Sequence, residues 1–236
     1  MSLISGDYAD RGDYHRHLDP HWSYAPIYRR KLAWVDAFLA ERSKSARILD
    51  VGAGEGALVE RYRERGYDVV GIDAAYESQH VKKADILTLP FEDEGFDVLF
   101  CLDVLEHLQL LDQAKALDEI RRVLTPGGLL LMSVPNLAHL HSRLRFLFTG
   151  HLTRTSAVER HPGDRPVSEY LDLLRTRAFS VERQSGIFPT LPLAFRAVNH
   201  HPDKMGWLVG LLDTLLPFPN LCFLTTLVAR KSSQTL

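Results

Sequence analysis

Cysteine is scarce in this chain, with only Cys101 and Cys222 among 236 residues. Two thiols cannot build a disulfide framework, and the absence of any C-x-x-C pair leaves no zinc-site signature. No apolar run reaches the ~18 residues that a membrane-spanning helix needs. The start, Met1-Ser2-Leu3-Ile4-Ser5-Gly6-Asp7, lacks the basic and apolar regions of a secretory signal. Neither sign of charge dominates: Lys+Arg 28 stand against Asp+Glu 30, for a net charge of −2. With a pI near 6.6, bulk attraction to nucleic acid is not expected, although a local basic patch is compatible. Internal repeats and low-complexity tracts are missing as well. These absences predict a soluble, reduced, cytoplasmic protein with no nucleic-acid partner and no metal site.

What is present has a globular character. A hydrophobic share of 45% and a charged share of 25% exclude disordered, collagen-like and fibrous classes. From Ala25 to Leu39, Ile27, Leu32, Trp34, Val35, Phe38 and Leu39 recur at helical spacing. Arg47 to Val51 is a short apolar run ending in Gly52, as in a strand buried on both faces. A glycine-rich turn and a short helix closed by Gly66 follow, and Tyr67 to Asp73 reads as the second strand.

The alternation continues with a strand over Phe96 to Leu102. Asp112 then opens a helix with Leu117, Ile120, Val123 and Leu124 on one face, stopped by Pro126-Gly127-Gly128. Leu129 to Val134 reads as a buried strand, Val167 to Arg177 as a helix, and Phe179 to Ile187 and Leu221 to Ala229 as extended. Strands alternating with helices predict a doubly wound α/β fold with a mostly parallel sheet. The expected organisation is one domain over 1–236, with an N-terminal cap in 1–45 and two insertions. Residues 137–165 form a basic insertion; within 137–163 Arg143, Arg145, Arg154 and Arg160 face a single acid, Glu159. Residues 189–219 form an apolar helical insertion whose charges are Arg196, Asp203, Lys204 and Asp213.

In open α/β sheets, ligands bind beyond the carboxyl ends of the strands. Asp50-Val51-Gly52-Ala53-Gly54-Glu55-Gly56 falls there, with glycines that let backbone turn tightly and approach a ligand. Asp73 closes the second strand 19 residues beyond Gly54, a spacing suited to a carboxylate accepting hydrogen bonds from a ribose diol. Two readings stay open at this point. Gly52-x-Gly54-x-x-Ala57 satisfies the dinucleotide fingerprint, with Asp73 as its ribose acid. Against that stand a long helical segment before the first strand, Glu55 inside the turn, and a final strand after a helical insertion.

Ile48-Leu49-Asp50-Val51-Gly52-Ala53-Gly54-Glu55-Gly56 resembles the first motif of class I S-adenosylmethionine methyltransferases. Ala84-Asp85-Ile86, Leu89-Pro90-Phe91 and Phe96-Asp97-Val98-Leu99 resemble that family's adenine-binding and fourth-strand motifs. Asp103-Val104-Leu105-Glu106-His107-Leu108 and Leu124-Thr125-Pro126-Gly127-Gly128-Leu129 are similar to its ubiquinone and menaquinone branch. The likeness runs in order over about residues 25–188. It implies a seven-stranded Rossmann-like sheet and S-adenosylmethionine as cofactor. It further implies that Gly52 and Gly54 back the methionine part and that Asp73 takes the ribose. Asp85 would face the adenine amino group, with Ile86 against the ring. Cys101, Leu102 and Asp103 would line the sulfonium and substrate side, and Asp50 would orient the turn or the ammonium group.

The expected activity is methyl transfer to a small-molecule or lipid-linked acceptor, at oxygen. The alternatives are a nicotinamide-dependent oxidoreductase using the same turn and a non-catalytic S-adenosylmethionine-binding or scaffolding module. Nucleic-acid methylation ranks lower, because the chain lacks the Asn/Asp-Pro-Pro-Tyr/Phe motif of amino-methylating enzymes. His107, after the fourth strand, and His161 are the candidate catalytic bases; bracing the loop and facing solvent are their structural alternatives. His15, His17 and His21, with Tyr24 and Tyr28, form either a lid or a loose tail, and His200-His201 reads as a surface turn. The basic insertion points to an anionic acceptor. Leu208, Leu211, Leu212, Leu215 and Leu216, beside Trp207 and Phe218, point to a packed lid, a homodimer surface or a peripheral membrane contact through 189–219.

Overall fold

The computed structural model describes residues 16–154 and 156–232. His15, one of the residues of the expected lid or tail, lies outside them. Helix α1 (Ala25–Ala40) precedes β1 (Arg47–Val51), α2 (Ala57–Glu64), β2 (Asp68–Asp73), β3 (Val81–Lys83) and β4 (Phe96–Leu102). A 3-10 turn (Leu105–His107) leads to α3 (Asp112–Val123), β5 (Leu124–Pro135), α4 (Leu140–Thr149), α5 (Val167–Thr176) and β6 (Phe179–Pro189). Helices α6 (Pro192–His200) and α7 (Pro202–Leu215) precede the last strand, β7 (Cys222–Lys231).

The seven strands lie in the order β3-β2-β1-β4-β5-β7-β6. Every pairing from β3 to β5 is parallel, and β7 runs antiparallel to both β5 and β6. The order reverses between β1 and β4, which places a crevice at their carboxyl ends. Successive strand residues point to opposite faces, and the core divides accordingly. Leu49, Val51, Leu99, Cys101, Leu130 and Met132 pack against α3 and α5. Ile48, Val98, Phe100, Leu129 and Leu131 pack against α1 and α2 on the other side. A third cluster joins Ile187, Phe188 and Leu224 of the antiparallel corner to α6, α7 and Ile27 of α1. The 189–219 segment is thus two helices built onto the sheet's antiparallel end.

Two expectations need correction. Pro126-Gly127-Gly128 lies inside β5 and does not separate a helix from a strand: α3 ends at Val123 and β5 starts at Leu124. The pairing with β4 shifts register between Phe96 and Val98, and Gly127 takes φ +75, so a bulge absorbs the turn-like residues. Strand β3, only three residues long, was absent from the sequence reading because so short a run carries no period. Among the described residues no helix is long and apolar enough to cross a membrane.

Candidate functional site

The glycine turn is tied to the end of β2. Gly52 and Ala53 each donate to the Ile72 carbonyl at 2.9 Å, and Gly54 donates to Asp73 Oδ2 at 2.9 Å. Asp73 Oδ1 accepts from Ala75 and Tyr76 at 2.8 and 3.2 Å. Gly52 has φ +74, and a Cβ there would meet Val104 Cγ2 at 2.5 Å, so only glycine fits without local rearrangement. Beyond the turn opens a cavity of about 830 Å³. The loop carrying Asp85 and Ile86 borders it, with Asp85 Oδ1 accepting from Leu87 at 2.9 Å. Arg122 anchors that loop from below through the carbonyls of Leu89 and Phe91.

Asp50 stands at the floor, 2% exposed. Burial, reinforced by the charge of Asp73 and opposed by Lys31, pushes its carboxyl up to about 7. The backbone of the turn bonds to β2 and Asp73, and Asp50 is one of the residues lining the cavity. Above it, Lys31 of α1 reaches Asp103 Oδ2 at 2.6 Å while itself only 2% exposed. Asp103 also accepts from Tyr24 Oη at 2.5 Å and from Ser133 Oγ. Burial alone would raise the Asp103 carboxyl; the Lys31 ammonium and the bonds from Lys31, Ser133 and Tyr24 outweigh it and hold the group below the usual carboxylate range. Asp103 adopts φ +58, a left-handed conformation that aspartate tolerates better than most residues. Three side chains, from the start of α1, from α1 itself and from β5, thereby converge on one carboxylate.

A second cluster closes the cavity's other side. His107 Nδ1 donates to the Arg160 carbonyl at 2.9 Å, and its ring meets His161 edge-on at 4.7 Å between centroids. His161 Nδ1 lies 3.4 Å from the buried Asp164 carboxylate. The loop bearing His161 is clamped by Gln113 Nε2, which donates to the carbonyls of Leu105 and Gly163 at 2.8 Å each. A Cβ at Gly163 would stand 2.2 Å from that same nitrogen. Glu106 lines the cavity at 1% exposure. Burial first, then the charges of Asp103 and Asp164, raise its carboxyl well above the ordinary range. Glu106, His107 and His161 bring possible ligand atoms within 4.8 Å of one another. The sequence reading found no metal constellation because His161 comes from a distant loop.

Asp50, Gly52, Asp73, Asp85, Ile86, Leu102, Asp103, His107 and His161 all border the cavity. Gly54 shapes the turn with φ +56 without lining the cavity. Cys101 stands apart: its side chain is wholly buried in the core, and burial drives its thiol pKa up. The alternation along β4 turns it away from the crevice. His17 and His21 are exposed, whereas Trp22 and Tyr24 border the cavity. Sequence reasoning missed Lys31, Glu106, Ser133, Asp164 and Phe195. Lys31 did leave a signal, as a charge four residues after Ile27 and four before Val35 on the apolar face of α1.

Residues 49–132 match the family model described as a methyltransferase domain. A probable S-adenosylmethionine-dependent methyltransferase of Mycolicibacterium smegmatis is 31% identical over 173 residues, which are 69% of this chain and 63% of that protein. A ubiquinone biosynthesis O-methyltransferase of Paraburkholderia phymatum is 30% identical over 140 residues, 52% of this chain and 59% of that one. The chain thus spans about three-fifths of the curated relatives it matches. Among solved structures, the 1,6-didemethyltoxoflavin-N1-methyltransferase of Burkholderia thailandensis, with bound S-adenosylhomocysteine, superposes with a TM-score of 0.60 at 17% identity, covering 96% of this chain and 84% of that one. The PH0226 protein of Pyrococcus horikoshii gives 0.59 at 16% identity, with 93% and 99% covered. At such identities these two structures speak for the fold alone.

Proposed function

We propose that the chain, whose residues 49–132 belong to the methyltransferase-domain family, transfers a methyl group from S-adenosylmethionine to a hydroxyl of a small-molecule or lipid-linked acceptor. The observation that carries this reading is one cavity lined by the glycine turn, the strand-end acid Asp73 and the buried Asp50. The donor set fits the cofactor. Gly52 backs the methionyl part on the cavity wall while Gly54 holds the turn through Asp73, and Asp50 supplies a counter-charge for the ammonium group. Asp73 keeps unused acceptor capacity for the ribose, because its three backbone bonds leave lone pairs free on the two oxygens. Asp85 and Ile86 border the adenine end, and Leu102 and Asp103 the acceptor side.

S-adenosylmethionine, when bound, supplies a methyl group already activated on its sulfonium. The protein's own share is then alignment, for which fixed geometry is worth about 7–11 kcal/mol. Trp22, Phe195, Phe223 and Leu224 form the apolar wall where an acceptor ring or chain would rest. His161, oriented through Nδ1 by Asp164, is suited to take a hydroxyl proton on Nε2, with His107 beside it. These two histidines favour oxygen as the methylated atom.

Calorimetric titration with S-adenosylhomocysteine beside NAD⁺ tests the reading. Micromolar binding of the former alone, about −8 kcal/mol, is expected; NAD⁺ binding alone would overturn it. Asp73→Ala is expected to weaken S-adenosylhomocysteine by about 1.5–3 kcal/mol. Unchanged affinity in a folded Asp73→Ala variant would remove that residue from the site.

A further inference from the structure

The geometry points to the free end of α4 as a docking element for an anionic lipid surface. Among the ten residues of α4 only Ser142 is buried. Phe146, Leu147 and Phe148 are 53%, 73% and 80% exposed, and Leu152, past the Gly150 cap, is 39% exposed. Consecutive residues of a helix point about 100° apart, so these side chains wrap the helix end and do not form a stripe. A flat protein face would cover part of such a tip. A deformable apolar medium covers all of it.

The base of the helix is fixed while its tip is not. His139 Nδ1 accepts from Ser142 at 3.3 Å and meets Thr190 Oγ1 at 2.8 Å, and the His141 ring stacks on Phe195 at 4.5 Å. Phe195 is itself part of the cavity wall, so α4 stands beside the cavity. Arg143 spends its guanidinium on the carbonyls of Ala138 and Asn220, not on an acid. Arg145 is exposed, and no acidic partner for it occurs among the described residues. Cations flanking an apolar tip match an interface of negative headgroups over acyl chains.

Charge also selects among occupants. A second copy seated on the same patch would set Arg143 and Arg145 against their own images, because a two-fold contact is self-complementary. The sequence points instead to 189–219 for a packed lid, a homodimer surface or a membrane contact, and α7 within it exposes Trp207, Leu211 and Leu215. Helix α7 has one cation of its own, Lys204, next to Asp203, and its Asp213 is taken by Arg30 of α1, so it offers anionic headgroups less positive charge than the two arginines of α4.

Cosedimentation of the full chain with phosphatidylcholine vesicles, with and without phosphatidylglycerol, tests this assignment. Retention is expected on the anionic vesicles only, weakening with added salt. Phe146→Ser/Leu147→Ser/Phe148→Ser should lose about tenfold or more of the partitioning, and Arg145→Glu about fivefold. Trp207→Ser/Leu211→Ser/Leu215→Ser should bind as the parent does. Thermal unfolding midpoints report that each variant is folded, and the readout needs no turnover, so it stands apart from the methyl-transfer reading. Absence of vesicle binding, undiminished binding by the α4 variants, or loss confined to the α7 variant would each overturn the proposal. A dimer in light scattering that the α4 variant dissociates, without vesicle binding, would assign the tip to a second copy instead.

Discussion

Asp50→Asn is expected to raise the stability of the free protein and to weaken its hold on S-adenosylhomocysteine at least tenfold. Asp50 sits 2% exposed at the end of β1, with a carboxyl that burial lifts to about 7. An unfolded aspartate titrates near ~3.9, so between about pH 4 and 7 the folded chain holds a proton that the unfolded chain has released. Stability therefore falls as pH rises through that window. By pH 8 the ionised carboxylate costs on the order of 2–4 kcal/mol. Asparagine removes that cost, and urea denaturation at pH 8 should show a higher midpoint for the variant. The difference should shrink as pH is lowered toward 4.

Binding moves the other way. A buried carboxylate meeting a ligand ammonium is worth about 1.5–3 kcal/mol, which corresponds to roughly tenfold to 150-fold in affinity. The parent's affinity should climb from pH 6 to pH 8 as Asp50 ionises, whereas the variant's should stay flat. Parallel pH profiles and equal affinities would assign Asp50 to bracing the turn instead.

Lys31→Met is expected to destabilise the protein by about 3–5 kcal/mol, because it strands two buried carboxyls without their cation. The Lys31 ammonium bonds Asp103 at 2.6 Å and opposes the rise of Asp50's pKa. It also lies 5.2 Å from the centroid of Tyr28 and 5.7 Å from that of Tyr24, so its loss loosens α1 over the cavity. Asp103 is held below the usual carboxylate range; its stabilising share is present above the unfolded pKa and fades as pH falls through the folded one. The gap between parent and Lys31→Met should accordingly narrow on acidification. Replacing both partners, Lys31→Met/Asp103→Asn, should recover the part of the loss owed to Asp103, since that charge leaves together with its partner, while Asp50 stays without the cation. A loss under about 1 kcal/mol for the single variant, on the scale of an exposed pair, would deny the cluster its role in holding α1 down.

Much of the site was legible because its elements announce themselves locally. The apolar runs before Gly52 and through Leu102 mark β1 and β4, whose bounds in the structure agree with the reading to the residue. A strand buried on both faces is mostly apolar, and a tight turn with left-handed backbone favours glycine; both preferences are written in consecutive residues. The carboxyl-edge position of Asp50, Asp73, Asp85 and Asp103 follows from the same rule.

Contacts between distant segments were not legible. Lys31 meets Asp103 across 72 residues of chain, and His107 meets the Arg160 carbonyl across 53, and no local pattern records such pairings. The family resemblance implied a site role for Cys101, yet it lies within β4, whose alternation carries its side chain into the core. The 189–219 segment drew attention for its leucines, while the exposed apolar tip that flanks arginines, Phe146 to Phe148, lies in the basic segment. Helical period, buried strands and glycine turns depend on neighbours in sequence, so the chain alone determined the doubly wound frame and the cofactor edge. Burial and charge pairing depend on neighbours in space. Only the folded structure therefore decided which carboxyl is paired, which is left raised and waiting, and which apolar tip stays in water.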